Sequence, residues 1–390
     1  GINIHAIAQG SSERNISVAI DSVDAARALR AVHAGFYLSA QTISVGVIGP
    51  GNVGAVLIEQ LREAAPRLRE QFGIDLRVRA IAGSRKIAVS ESGIDLAHWR
   101  DAYAQAADGD LDAFAKQVHA SHLPHALIAD CSASPLVATQ YPKWLAQGMH
   151  IVTPNKQAGS GPIARYREIQ ANARESGARF RYEATVGAGL PIISTLRDLI
   201  DTGDRIERIE GMFSGTLAFL FNRFDGSQPF SALVREAKQL GYTEPDPRDD
   251  LDGKDVARKL VILARELGLA TELADVEVDS LVPAELAAGS IDDFMTRLPE
   301  LDAAMQARLE AARANGEVLR FVASLDATGK ARVGLRALPL AHAFANGKLT
   351  DNFVQFTTAR YNRNPLVVQG PGAGPEVTAA GVFADLLRVA

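Results

Sequence analysis

The sequence contains a single cysteine, Cys131, among 390 residues. One thiol excludes an intramolecular disulfide framework and a zinc site built from thiolates. Basic residues are not in excess either: 41 Lys and Arg stand against 46 Asp and Glu, for a formal net charge of −5. Binding a phosphate backbone needs a concentrated basic surface, so nucleic acid is excluded as the main partner. No apolar run approaches the roughly 20 residues of a membrane-spanning helix. There is no low-complexity tract and no internal repeat with a period of about 20–50 residues. The opening residues lack a basic n-region and a cleavage site, so no signal peptide is read. What is present is ordinary for a globular protein, 47% hydrophobic and 22% charged. At about 100–200 residues per domain the length allows two or three domains. A cytoplasmic enzyme acting on a small molecule is the default expectation.

Residues 1–40 read as a β–β–α piece. Ile2, Ile4 and Ile7 begin one strand, Gln9-Gly10-Ser11-Ser12 supplies a turn, and Ile16, Val18 and Ile20 alternate along a second. Ser22 can cap a helix over Val23–His33. Such a piece is too small to stand alone, and the chain opens on Gly1 rather than Met; it is expected to be the end of a larger domain. From Thr42 strands alternate with helices: strands at Thr42–Ile48, Leu76–Ala82, Ala126–Asp130 and Met149–Thr153, helices at Val53–Leu68, Val137–Gln147 and Ile163–Ser176. That alternation implies a parallel sheet covered on both faces, an α/β Rossmann domain over 41–182. Over 183–365 helices at about 191–201, 215–224, 230–240 and 251–267 mix with strands at 205–213, 317–325 and 331–337, predicting a separate α+β domain. Residues 366–390, with a helix over Val377–Leu387, are expected to return to the Rossmann layer.

Two segments carry the chemistry. Val45–Gly54 places G-x-G-x-x-G directly after a strand and at the start of a helix. Gly49 suits the tight turn, Gly51 lets backbone approach a pyrophosphate, and Gly54 allows helix and strand to pack closely. The anion then faces the helix N-terminus, so the expectation is dinucleotide binding. At the end of the second strand an NAD enzyme usually carries an acid for the ribose 2′-hydroxyl. Here the sequence is Ile81-Ala82-Gly83-Ser84-Arg85-Lys86, with no acid and two cations. Arg85 can pair with a 2′-phosphate, which favours NADP over NAD. The second segment, Gly241–Lys259, packs six acids into twelve residues ahead of a helix. Asp250 is placed to cap that helix, and Asp255 and Lys259 share a helix face four residues apart. The plain reading is a surface ion pair under an acidic loop. The sharper one is a site where acids hold an ammonium and a desolvated lysine shuttles a proton at an alcohol or aldehyde oxygen.

The segment Glu244–Lys259 resembles the signature of homoserine dehydrogenases, in the form found in bifunctional aspartokinase–homoserine dehydrogenases. Thr153-Pro154-Asn155-Lys156, Tyr182–Pro191 and Gly370–Gly374 with Val377-Thr378-Ala379-Ala380-Gly381 resemble the same family, in order, over 42–390. The resemblance implies reversible hydride transfer between L-homoserine and L-aspartate 4-semialdehyde, in threonine and methionine biosynthesis. It implies Lys259 as proton donor to the carbonyl oxygen, with Lys156 between nicotinamide and substrate. Glu244, Asp250 and Asp255 would hold the substrate's polar groups. Gly51, Asn52, Val53, Arg85, Ser132, Lys156, Gly241 and Gly374 would line the cofactor site beside Gly49 and Gly54. Glu183 and the carbonyls of Val186, Ala188 and Leu190 resemble the family's monovalent-cation site, with sodium expected. The family's substrate-domain sheet implies a homodimer or higher assembly. Ile4–Val18, including Gln9–Arg14, resembles the end of the ACT region of aspartokinases, so an aspartokinase part is expected in the same polypeptide. With that region incomplete, the piece is expected to contribute interface rather than sensing.

The sequence admits three rival readings. Asp130-Cys131-Ser132 follows a strand, where a thiol could act as nucleophile in an aldehyde dehydrogenase, but no base is evident beside it. A non-catalytic nucleotide or amino-acid sensor fits the ACT-like piece and leaves both lysines without a purpose. His119, His122 and His125 have metal-like spacing, but Pro124 breaks a shared helix. Around His342-Ala343-Phe344 the family often has His followed by Pro, and His342 is read as a structural loop residue.

Overall fold

The computed structural model describes residues 2–9, 15–25, 27–29, 32, 41–119, 123 and 125–390. Strands β1 (Ile4–Gln9) and β2 (Ile16–Ile20) pair antiparallel, with a bulge between Ile4 and Ala6. Both leave apolar side chains in solvent, Ile7 at 66% and Ile16 at 68% exposure. The expected turn lies outside the described residues from Gly10 onward. Of the expected Val23–His33 helix, Ser22–Asp24 form a 3-10 turn with helical residues just beyond it, and the remainder, including His33, lies outside the described residues.

Strand β3 (Gln41–Ile48) is buried from Thr42 to Ile48, as a central parallel strand covered on both faces must be. It leads into helix α1 (Asn52–Phe72), which stops at Gly73 in the left-handed conformation, φ 67°. Then follow β4 (Ile74–Ala82), β5 (Lys86–Val89), β6 (Ala107–Asp108), β7 (His125–Asp130), β8 (His150–Val152), the short α2 (Lys156–Ser160), α3 (Ile163–Ser176) and β9 (Phe180–Arg181). These seven strands form one sheet in the order β6-β5-β4-β3-β7-β8-β9. From β4 to β9 the pairing is parallel, while β5 and β6 are antiparallel. The β4–β5 connection is a tight turn closed by Gly83 N–H to the Lys86 carbonyl at 3.0 Å, too short for a crossover. Chain order reverses at β3, with β4 on one side and β7 on the other, which creates the crevice where such sheets bind ligands. The single helix expected over Val137–Gln147 is instead two, Pro135–Ala138 and Tyr141–Ala146; Pro142, which has no N–H to donate, opens the second.

After α4 (Ile192–Asp201) comes a second sheet, built from β10 (Ile206–Met212), β11 (Glu277–Val278), β12 (Glu317–Asp326), β13 (Ala331–Pro339), β14 (Asp351–Thr358) and β15 (Leu366–Pro371). Its order is β11-β13-β12-β10-β14-β15, antiparallel except for β11 with β13. Helices α5 (Gly215–Arg223), α6 (Lys254–Glu266) and α7 (Asp302–Ala314) pack on it. Ile128 and Trp144 of the first sheet's layer and Leu260 and Phe321 of the second belong to one continuous buried cluster. The return to the Rossmann layer begins later than expected. Residues 366–371 pair with β14 along their whole length, and only α8 (Pro375–Val389) packs against α1.

Candidate active-site cleft

At the end of β3 the backbone turns through Gly49 at φ +80°, its N–H bonded to the Ala82 carbonyl at 2.8 Å. A β-carbon on Gly54 would lie 2.1 Å from the Gly49 carbonyl oxygen, so only glycine lets α1 start hard against the turn. A β-carbon on Gly51 would meet nothing within 4 Å, which leaves room for a group approaching the helix start. Asn52, Val53 and Gly54 open a 21-residue helix, and their N–H groups have no carbonyl one turn earlier to bond. Free donors and an aligned dipole beside an open glycine fit a pyrophosphate.

The end of β4 is crowded by a tyrosine. A β-carbon on Gly83 would lie 1.8 Å from the hydroxyl oxygen of Tyr103. Any side chain at position 83 would have to displace that hydroxyl. Lys86 donates to the Ala104 carbonyl at 2.5 Å, while the exposed Arg85 guanidinium has no partner among the described residues.

Across the crevice the acidic segment folds onto Lys156. Asn155 caps α2 by accepting from Gln157 N–H at 3.0 Å, which presents Lys156 on the first turn. Asp255, on the first turn of α6, receives both lysines: Lys259 Nζ at 2.8 Å on Oδ2 and Lys156 Nζ at 3.3 Å on Oδ1. Lys259 Nζ also donates to the Phe213 carbonyl at 2.6 Å, and the residue is only 9% exposed. The pair is therefore buried at its Lys259 end, while the Asp255 carboxylate stays half exposed to the cleft. Burial pushes the Lys259 ammonium below its ordinary range, and the adjacent Asp255 carboxylate opposes that push. Burial would raise Asp255, but the ammonium groups of Lys259 and Lys156 together hold it well below the usual carboxylate range.

Asp250 does not cap α6. Gly253, at φ 72°, occupies that position, and its left-handed turn carries the helix start away from Asp250. Asp250 instead accepts the Glu244 N–H at 2.8 Å on Oδ2, with the Thr216 hydroxyl at 2.8 Å from Oδ1. Burial pushes its carboxyl up to about 6, against the lowering effect of those two donors. Thr216 and the Phe213 carbonyl were missed in the sequence. The available signal was Ser214-Gly215-Thr216 at the junction of β10 and α5, where Ser214 caps the helix.

One cleft of about 780 Å³ joins these parts. Val53, Ser132, Lys156, Gly241, Glu244, Asp250, Asp255, Lys259 and Gly374 all line it, together with Ala188 of the 183–191 loop. Gly49, Gly51, Asn52, Gly54 and Arg85 are not in its wall; they form the turn and the strand end beside it. Ser132 is fixed by its N–H to the buried Asp130 at 2.8 Å. In the 183–191 loop, Glu183 accepts N–H groups of Ile193 at 2.6 Å and Ser194 at 2.9 Å, so its carboxylate caps α4. Ala188 is left-handed, φ 54°. The carbonyls of Val186 and Ala188 accept no hydrogen bond from the described residues although both residues are buried, while that of Leu190 accepts Ile192 N–H at 2.9 Å.

Cys131 also reaches the cleft, but burial drives its thiol far above the ordinary range and Asp130 adds to that. A thiolate nucleophile is not supported there. His122 and Pro124 lie outside the described residues, and no metal-binding cluster occurs among those described. His342 accepts the Phe344 N–H at 3.2 Å, as a loop-capping residue does.

A family model described as homoserine dehydrogenase matches residues 191–387, and one described as its NAD-binding domain matches 49–183. The chain belongs to the homoserine dehydrogenase family. A third model, an ACT domain, matches residues 1–36. The homoserine dehydrogenase of Emericella nidulans is 45% identical over 364 residues, covering 89% of this chain and 98% of that protein. The chloroplastic bifunctional aspartokinase/homoserine dehydrogenase 2 of Arabidopsis thaliana is 50% identical over 393 residues, covering 100% of this chain. The chain spans 43% of that relative's length. The crystal structure of a putative homoserine dehydrogenase from Archaeoglobus fulgidus, 26% identical, superposes with TM-score 0.72, covering 89% of this chain and 99% of that one. The NAD(P)-binding part of the family thus falls on the glycine turn. Overpacking that turn costs about 1–3 kcal/mol. Gly54→Ala should therefore lower the melting temperature by roughly 1–4 °C, read by calorimetry; an unchanged value would show that the turn tolerates a methyl group.

Proposed function

We propose that the chain catalyses reversible hydride transfer between L-homoserine and L-aspartate 4-semialdehyde with NADP, NAD being the poorer alternative. The observation that carries this is the convergence of Lys156 and Lys259 on Asp255, in a cleft shared with the glycine turn. When bound, the nicotinamide supplies the hydride in the reducing direction and takes it in the other. Lys259 has three ammonium donors, and two are held by Asp255 and the Phe213 carbonyl. The third is available to the substrate oxygen, to which Lys259 gives a proton on reduction and from which it takes one on oxidation. Lys156, tied to the same carboxylate, holds that oxygen from the cofactor side. Glu244 and Asp250 hold the substrate's ammonium end. Gly49, Gly51, Asn52, Val53 and Gly54 take the pyrophosphate, Ser132, Gly241 and Gly374 line the nicotinamide half, and Arg85 takes the 2′-phosphate.

Mixing the protein with homoserine and NADP⁺ should produce NADPH absorbance at 340 nm; none under any condition that keeps the chain folded would defeat the reading. Arg85→Ala should weaken NADPH about tenfold, the worth of one charge-assisted hydrogen bond, and leave NADH affinity unchanged. Equal losses for both cofactors would remove Arg85 from the phosphate site.

A monovalent cation, sodium by chemistry, belongs to the same reading. The support is oxygen-only donors: the Glu183 carboxylate and the carbonyls of Val186, Ala188 and Leu190, two of them buried without a partner. Its role would be to hold the 183–191 loop. A homodimer is supported by the open face of the six-stranded sheet, where a groove of about 720 Å³ is lined by Arg208, Glu210, Ser324 and Arg336. An aspartokinase part in the same polypeptide is supported by the ACT match and by the bare apolar faces of β1 and β2. No helix among the described residues is long and apolar enough to cross a membrane.

A further inference from the structure

Strand β9 is the outermost strand of the seven-stranded sheet, and its edge opens into a groove of about 840 Å³ that shares no lining residue with the lysine cleft. Helices α3 and α4, the end of α6 and the end of α8 complete its walls. Six arginines line it against three acids, in a chain whose net charge is −5. Three of those arginines are held. Arg197 grips Glu266 at 2.7 and 2.9 Å, Arg265 bonds Glu272 at 3.1 Å, and Arg388 bonds Asp385 at 3.0 Å. The other three, Arg174, Arg179 and Arg181, make no side-chain hydrogen bond or ion pair with a described residue.

Arg181 is the informative member. It is half-buried on the edge strand, and Arg179, just before that strand, lines the same groove. Burial weakens its hold on a proton and Arg197 weakens it further; Asp385 opposes them, while Arg179 and Arg388 add to the weakening. A partly desolvated cation placed among cations is unfavourable unless something negative joins it. Surface arginines that merely solvate do not need to cluster at a concave, half-buried edge. Guanidinium forks are also the groups that bind oxyanions bidentately.

We infer that this groove is a binding site for a compact polyanion, a small molecule with two or more phosphate or carboxylate charges, held by Arg179 and Arg181 with Arg174 at the rim. The site is separate from the cleft and draws on none of its residues.

The test uses the protein with its cleft saturated by NADPH, so that the glycine turn is blocked. Sodium pyrophosphate is titrated at fixed ionic strength and fixed sodium, with melting temperature and binding heat followed. The expected result is a one-to-one isotherm and a rise in melting temperature. The double variant Arg179→Gln/Arg181→Gln should bind at least tenfold more weakly. Its melting temperature without pyrophosphate should equal or exceed the wild-type value, because an unpaired half-buried charge has been removed. Citrate as a second probe separates the sources: binding of both marks charge as the recognised feature, and pyrophosphate alone marks phosphate. Undiminished binding by the double variant would overturn the inference, as would a shift that sodium chloride reproduces or a destabilised anion-free variant. Binding of a polyglutamate peptide with neither small anion would assign the groove to a protein partner and overturn it equally.

Discussion

Lys259→Ala is expected to lower kcat for semialdehyde reduction about 1,000-fold, while the dissociation constant for NADPH stays within about twofold of wild type. The size follows from the proposed role. A positioned general acid contributes roughly 10²–10⁴ in rate, and Lys259 is pre-oriented by two fixed acceptors, Asp255 at 2.8 Å and the Phe213 carbonyl at 2.6 Å. Cofactor affinity should survive because the glycine turn makes no contact that depends on this side chain. Lys259→Arg should not rescue turnover: a guanidinium stays protonated throughout the working pH range and cannot exchange a proton with the substrate oxygen. Steady-state rates in both directions with calorimetric NADPH binding make the check. Turnover near wild type in the alanine variant would remove Lys259 from the chemistry, whereas loss of NADPH binding would show that it shapes the cofactor site instead.

Asp255→Ala carries the second large effect, about 100-fold in kcat/KM with a displaced pH profile. The direction can be worked out. Asp255 favours the protonated form of Lys259, while burial and the charge of Lys156 disfavour it. Without the carboxylate, Lys259 releases its proton at lower pH. Reduction needs that proton, so the alkaline limb of kcat/KM should move to lower pH. Oxidation needs the neutral amine, so its acid limb should move the same way. Asp255→Asn keeps the side chain's size and should shift the limb as the alanine variant does, because charge and not shape is responsible. A profile that falls in height without moving would reduce Asp255 to a structural part.

The parts of this site that were legible in the sequence are those made by neighbours in the chain. The glycine turn is confined to Gly49–Gly54, and the positive φ of Gly49 and the close approach at Gly54 follow from residue type. Asp255 and Lys259 lie one helical turn apart, so their pairing follows from helix geometry alone. Although the helix expected over Val137–Gln147 is two, one long periodic element, α3, was legible in full over Ile163–Ser176. Short strands were not. β5, β6, β9 and β11 are two to four residues long, too brief to show a period, and their pairing is set by neighbouring strands rather than by their own alternation. Asp250 was misassigned for a related reason, since a capping residue type was visible but the left-handed Gly253 between it and α6 was not.

By itself, then, the order of residues determined the presence of a dinucleotide turn, an α/β layer followed by an α+β one, and an acid–lysine pair on one helix. These depend on interactions within a few residues, which composition and spacing encode directly. Tertiary structure alone decided that Lys156 shares Asp255 with Lys259, that the Phe213 carbonyl and Thr216 complete the site, and that Tyr103 fills the space at Gly83. It also gathered Arg174, Arg179 and Arg181 at the free edge of β9 with Arg197 and Arg388 beside them. Each of these joins segments far apart in sequence, and which distant segments meet is settled by how the two sheets and their helices bury a common core, not by any local pattern.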